Sequence, residues 1–303
     1  MTATLPSQAR PSQRKRLFAA VKSAVVKSSV FRTMRAGGVA VVLGTTALSG
    51  AVSTAQAQDI AATFDKYGDA TVDHSAWTEL LRAYVTPGAS GLNSVDYAAF
   101  KADGHTALKD YLAQITAVDP TTLTKNAQFA YWANLYNAKT IDIVLEHYPV
   151  ATIRDIDISG FFSNGPWDKK VTKVNGLELS LNDIEHVIMR GTFKDPRVHY
   201  AVNCASIGCP NLQRKAFVGP TLEAQLDAAA RDYVNSPRGF TVANGRVRAS
   251  KIYSWFQEDF GDSEAGVIAH AVKYAEPELK GTLTAAGDIS GYDYDWSLND
   301  TKK

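Results

Sequence analysis

No acidic residue occurs before Asp59, and the 303-residue chain contains only two cysteines, Cys204 and Cys209. The first absence marks residues 1–57 as a segment of different character. It carries eight basic residues (Arg10, Arg14, Lys15, Arg16, Lys22, Lys27, Arg32, Arg35), then a small, weakly apolar run, AGGVAVVLGTTALSGAV, then Ala55-Gln56-Ala57. Basic, apolar and small-residue regions in that order are the signature of a cleaved secretory leader. The apolar run is short and rich in Gly, Ser and Thr for a stable membrane span, so no span is expected after cleavage. The leader is long, and Met34 offers an alternative start for a compact one. A periplasmic or secreted protein is expected.

Other absences exclude chemistries. There is no G-x-S-x-G, no P-loop, no G-x-G-x-x-G after a strand and no H-E-x-x-H, so serine-hydrolase, nucleotide, dinucleotide-cofactor and zinc-protease readings lose their usual motifs. No cofactor and no metal are expected. Setting aside residues 1–57 leaves 246 residues with 24 basic and 31 acidic side chains, about −7 net. That balance disfavours nucleic acid, whose affinity comes largely from Lys and Arg neutralising phosphates. No repeat, low-complexity tract or linker divides residues 58–303, which are expected to form one domain.

What is present reads as helices and hairpins segregated along the chain, an α+β pattern of helices around a central buried helix with a small antiparallel sheet of hairpins. Helices are expected over 73–85, 98–118, 126–147, 181–190 and 220–236, and again after Ser250 and after Asp262. Asn175-Gly176 and Asn244-Gly245 predict two hairpin turns. Residues 126–147 are apolar around most of their circumference, with Lys139, Asp142 and Glu146 as the one charged stripe, expected to face solvent. Asn134 and Asn137 lie on the opposite face. They either cross-link loops to the core or line a polar site, because an unpaired buried amide is costly. In 181–190, Ser180 caps with Asp183 as partner, Glu185 sits at the edge of the apolar face, and His186 points toward Asp183 and Arg190 on a solvated side.

PRVHYAVN, residues 196–203, alternates as a strand, which places His199 and Asn203 on one face and would put Cys204 on the other. Cys209 precedes Pro210, a residue favoured at the first position of a helix. A thiol at such a helix start has a lowered pKa. This makes Cys209 the preferred nucleophile over Cys204, with His199 as base and Asn203 or Glu185 orienting the imidazole. Three other readings stand beside it. A Cys204–Cys209 disulfide suits an oxidising compartment and would add about 2 kcal/mol for so short a loop. A metal site through His199, Cys204 and Cys209 matches no usual ligand spacing, and two inert buried thiols complete the set.

FAYWANLYNAKTI (129–141), LSLNDIEHVIMR (179–190), RVHYAVNCASIGCPNL (197–212), SKIYSWFQEDFG (250–261) and YDYDWSLN (292–299) together resemble the family known as domain of unknown function 547. Its N-x-x-N-A, S-L-x-x-I-E-H and H-x-x-x-N-C…C-P motifs all stand intact. The resemblance implies that Asn134, Asn137, Glu185, His186, His199, Asn203, Cys204 and Cys209 share one pocket, with Asn134, Asn137 and His186 toward substrate. It supplies no reaction. A distant relation to papain-like or transglutaminase-like folds would put a cysteine at the start of the central helix, where this chain has Lys125-Asn126-Ala127-Gln128. The expected function is a thiol-dependent hydrolase or acyl-transfer enzyme on small-molecule, peptide-like or cell-envelope substrates. The competing class is a non-catalytic envelope binding or scaffold domain stapled by the disulfide.

Overall fold

The computed structural model describes residues 54–160 and 164–302, all within one compact unit, Gly50–Lys303. The segment expected to be a leader lies outside the described residues, apart from its last positions, which open the helix Thr54–Phe64. The central helix is Lys125–His147, and 18 of its 23 residues are buried. Thr124 caps it, its hydroxyl accepting from Ala127 N. Phe129, Trp132, Leu135, Ile141 and Val144 make it the spine of the larger apolar core. A second core gathers Tyr200, the helix Leu222–Val234, the strands near 240–250 and the helices after them.

Strands are few and short, and the α+β architecture is observed. Thr172–Val174 pairs with Leu177–Leu179, and Phe240–Ala243 with Arg246–Ser250, both antiparallel. Their turns are Asn175-Gly176 (φ 49° and 81°) and Asn244-Gly245 (φ 53° and 72°), the paired left-handed residues that a two-residue hairpin demands. Gly291–Asp293 adds a third strand, parallel to Arg246–Ser250. No helix among the described residues is long and apolar enough to cross a membrane.

Of the charged stripe of the central helix only Glu146 is exposed to solvent; Lys139 is half-buried and Asp142 buried. The helix His105–Thr116 packs over it. Asp142, 4% exposed, accepts from His105 Nε2 at 2.8 Å and Lys139 Nζ at 2.9 Å, while Lys109 reaches Glu146. Helical periodicity finds such a stripe but cannot tell water from a polar seam between two helices.

The same helix ties down two loops. Asn134 donates from Nδ2 to Phe217 O and accepts from Phe217 N. Asn137 donates from Nδ2 to Ala201 O and accepts from Asn203 N, both at 2.8 Å. Each amide thus satisfies one buried N–H and one buried C=O, the cross-linking alternative. Replacing Asn134 by Ala would leave both Phe217 backbone groups unpaired, at about 1–3 kcal/mol for each buried group. The expected outcome is a lower urea midpoint at unchanged slope.

Two buried histidines add a pH dependence. Burial pulls His74 and His270 each down to about 4. His74 Nδ1 meets Tyr111 Oη at 2.8 Å, and its Nε2 is buried with no partner; His270 Nε2 meets Tyr200 Oη. Between pH 6.5 and 4 the unfolded chain binds protons that the folded one refuses, so stability is full above 6.5 and falls on acidification. Each histidine contributes roughly 3 kcal/mol to that fall. Urea titrations between pH 7 and 4 are expected to show the loss, and His74→Gln is expected to flatten it.

Candidate functional site

Residues 198–201 form a single helical turn rather than the end of a strand. Asp195 starts it, accepting from Arg197 N and pairing with the Arg197 guanidinium. Four residues of apolar alternation fit a helical turn as well as a strand, and the tertiary contacts decide. The face-sharing of His199 and Asn203 is thereby removed. Asn203 instead turns into its own loop, donating from Nδ2 to Pro210 O at 2.7 Å and accepting from Ala205 N at 2.9 Å. It makes no hydrogen bond to the imidazole, whose Nε2 goes to Asp259 instead.

His199 is buried and stacks on Phe256, with centroids 4.4 Å apart. Its Nε2 donates to Asp259 Oδ2 at 2.6 Å, and Arg190 Nε donates to the same oxygen at 2.5 Å. Partial burial works against the Asp259 charge, but the His199 and Arg190 hydrogen bonds outweigh it and take the carboxyl down to about 2. Asp259, not Asn203 or Glu185, therefore orients the ring. Nδ1 makes no hydrogen bond among the described residues.

The cysteine loop is built to close on itself. Ala205 takes φ 63°, left-handed backbone that a non-glycine residue adopts at a cost, and this turns residues 204 and 209 together. Cys204 N–H then points at Cys209 Sγ, 3.0 Å away. Tyr294 Oη lies 3.1 Å from Cys209 Sγ and 3.2 Å from Cys204 Sγ, and Ser206 Oγ completes the cluster. A Cβ on Gly208 would sit 2.9 Å from the Tyr294 ring, so glycine is what lets the phenol lie against the loop. Ile207 N and Gly208 N donate to Ser297 O and Asp295 O, fastening the loop to the segment that carries Tyr294.

Both sulfurs are free thiols, so the disulfide expected from an oxidising compartment is not formed. Cys209 is not at a helix start either, because the residues after Pro210 are irregular. Its acidity has another source. Burial alone would push the Cys209 thiol up, but donation from Cys204, Ser206 and Tyr294 reverses this and lowers it. Cys204 moves the opposite way, well up, through its hydrogen bond to Cys209 and its burial. A backbone N–H can only donate, so of the two sulfurs Cys209 is the one held as an acceptor and the one set to give up its proton.

Glu185 and His186 stand on Asp183–Phe193, a helix with the wider i→i+5 bonding. Ser180 and Asp183 form the expected reciprocal cap, Ser180 N donating to Asp183 Oδ2 and Asp183 N to Ser180 Oγ. The widened turn changes the angular spacing that an α-helix would impose, so Glu185 and His186 both reach one cavity. His186 is therefore not a solvated residue: burial lowers its pKa, although Arg190 lies within 3.5 Å as the spacing suggested.

That cavity measures about 170 Å³ and draws its walls from both cores. It brings together Glu185, His186, His199, Cys204 and Cys209 beneath an aromatic rim that includes Trp167, Trp255 and Trp296. Asn134, Asn137 and Asn203 do not line it; Asn137 and Asn203 hold the backbone of 201–203 and of Pro210 beside it, and Asn134 holds the more distant Phe217 loop. Sequence reasoning missed Asp259, Ser206, Tyr294 and the three tryptophans. The acids of Gln257-Glu258-Asp259-Phe260 and the aromatic density of YDYDW were the signals available.

Residues 120–234 match the model of the family described as Protein of unknown function, DUF547. The match takes in the central helix, the wide helix and the cysteine loop. Asp259, Tyr294 and two of the rim tryptophans lie beyond it. No curated protein and no solved structure matches the chain.

Iodoacetamide labelling followed against pH is the direct check on the thiols. Cys209 is expected to react with an inflection below the ordinary thiol value of about 8.5. Tyr294→Phe should raise the inflection, and Cys209→Ser should leave only slow, high-pH labelling at Cys204.

Proposed function

We propose that this chain is an exported, thiol-dependent hydrolase or acyl-transfer enzyme, with Cys209 as nucleophile and His199 as the acid–base group. The observation that carries the reading is the Cys204 N–H aimed at Cys209 Sγ at 3.0 Å beside the Tyr294 hydroxyl. Donors fixed on a sulfur stabilise its thiolate, the reactive form. The leader-like composition of residues 1–57 supports export, and peptide-like or cell-envelope amides, esters and thioesters are the substrate class.

The steps follow from the groups present. The Cys209 proton passes to His199 Nδ1, the ring nitrogen left open by the Nε2–Asp259 bond. The thiolate attacks the acyl carbon, a C–S bond forms, and the C–N or C–O bond breaks as His199 returns the proton to the leaving group. Water, or an acceptor amine in transfer, then attacks the thioester. His199 takes the attacking group's proton, the C–S bond breaks and the thiolate is regenerated. Asp259 keeps the ring in the tautomer that leaves Nδ1 unprotonated and balances the imidazolium when it forms. No hydrogen bond joins His199 to either sulfur, so the proton crosses the cavity and the working contact tightens only around substrate, as catalytic contacts commonly do.

A panel of activated thioesters and peptide amides tests this. Cys209→Ala is expected to abolish acyl release and the trappable thioester. Asp259→Asn should lower kcat on the order of 10²–10⁴-fold with the fold intact. Full turnover by Cys209→Ala would overturn the reading.

A further inference from the structure

Glu185 has no part in the chemistry above, because Asp259 orients His199. Its side chain nonetheless lines the cavity and the residue is only 8% exposed. A buried carboxylate without a cation is costly. Among the described residues no Lys or Arg pairs with it: Arg190 is committed to Asp259 and Glu258, and Lys170 to Asp183. Its neighbours in the cavity are the Tyr136 hydroxyl and His186, whose pKa burial lowers although the Glu185 carboxylate acts the other way.

The wall around this carboxylate is aromatic. Trp255, Tyr294 and Trp296 have ring centroids 4.7–5.6 Å apart, and Trp167 meets Trp296 edge-on at 5.9 Å. Arg154 already lies 5.2 Å over Trp296, so this cluster accepts a cation on a face. At about 170 Å³ the space is close to that of a cavity holding one benzene, so any occupant touches most of its lining. Aromatic faces with a carboxylate at one end are the chemistry that holds a desolvated ammonium.

We infer that the group entering this cavity is an alkylammonium cation, its charge paired with Glu185 and its carbon atoms against Trp255, Tyr294 and Trp296. This rests on the acyl-transfer reading for the cavity's being the substrate site, and it narrows the substrate to an acyl compound bearing an ammonium near the scissile bond. The cation's source is a free amine-bearing molecule or a modified peptide side chain.

Calorimetric titration of the full-length Cys209→Ala protein, which cannot turn over, tests it with three probes: choline, its neutral isostere 3,3-dimethylbutan-1-ol, and N-acetyl-trimethyllysine amide. Choline or the lysine probe is expected to bind at least tenfold tighter than the isostere, about 1.4 kcal/mol, and the tighter of the two identifies the source. Glu185→Gln should erase that preference while leaving isostere binding unchanged. Trp255→Leu, at a position 44% exposed and so tolerant of change, should weaken only the cations. Equal binding of cation and isostere, or no cation binding at tens of millimolar, overturns the inference. If Cys209 still labels at low pH in that case, the thiol reading stands without it; an ordinary labelling profile beside tight choline binding would mean the reverse.

Discussion

One buried amide decides where the site forms. Asn137 accepts from Asn203 N and donates to Ala201 O, so the rigid central helix sets the position of the backbone between His199 and Cys204. Everything reactive hangs from that segment: the imidazole just before the anchored residues, the first thiol just after, and the second brought back by the left-handed Ala205. Were the amide to slip, the stacking of His199 on Phe256 and the turn that aims Cys204 N at Cys209 would have no common frame. An apolar residue would fill the same space but would leave two buried backbone groups without their partners.

The two thiols illustrate how shared surroundings separate like groups. Cys209 is buried and Cys204 half-buried, and both contact Tyr294 and Ser206. What distinguishes them is one direction-specific bond, from Cys204 N to Cys209 Sγ. Because a single hydroxyl proton cannot serve three acceptors, the amide proton breaks the tie and places negative charge on Cys209. The proton that remains is held on Cys204, whose thiol burial and its partner push upward.

Much of the frame is legible from residues alone. Two Asn-Gly pairs give both hairpins, Ser180 and Asp183 give the cap, and the apolar circumference of 126–147 gives the buried helix, because each is a local rule that the tertiary structure leaves in force. Of the eight residues that the resemblance gathered, Glu185, His186, His199, Cys204 and Cys209 share the cavity, while Asn134, Asn137 and Asn203 do not line it. What failed was orientation. PRVHYAVN is too short for its periodicity to separate a strand from a helical turn, and a widened helix defeats the spacing that sent His186 to solvent. Asp259 and Tyr294 lie 60 and 85 residues beyond the groups they serve, and no local pattern carries information over that distance.

That last separation has a consequence for the order in which chemistry appears. Chains fold broadly as they are made, from the N-terminus, so Cys204 and Cys209 emerge well before Tyr294 and the segment that clamps Gly208. Until the phenol docks against the loop, Cys209 lacks one of its donors and Cys204 N–H has no fixed target. The pair is then an ordinary, sluggish dithiol. The lowered pKa of Cys209 is thus a property of the finished tertiary structure, withheld from the nascent chain and lost at the first local opening that releases the closing segment.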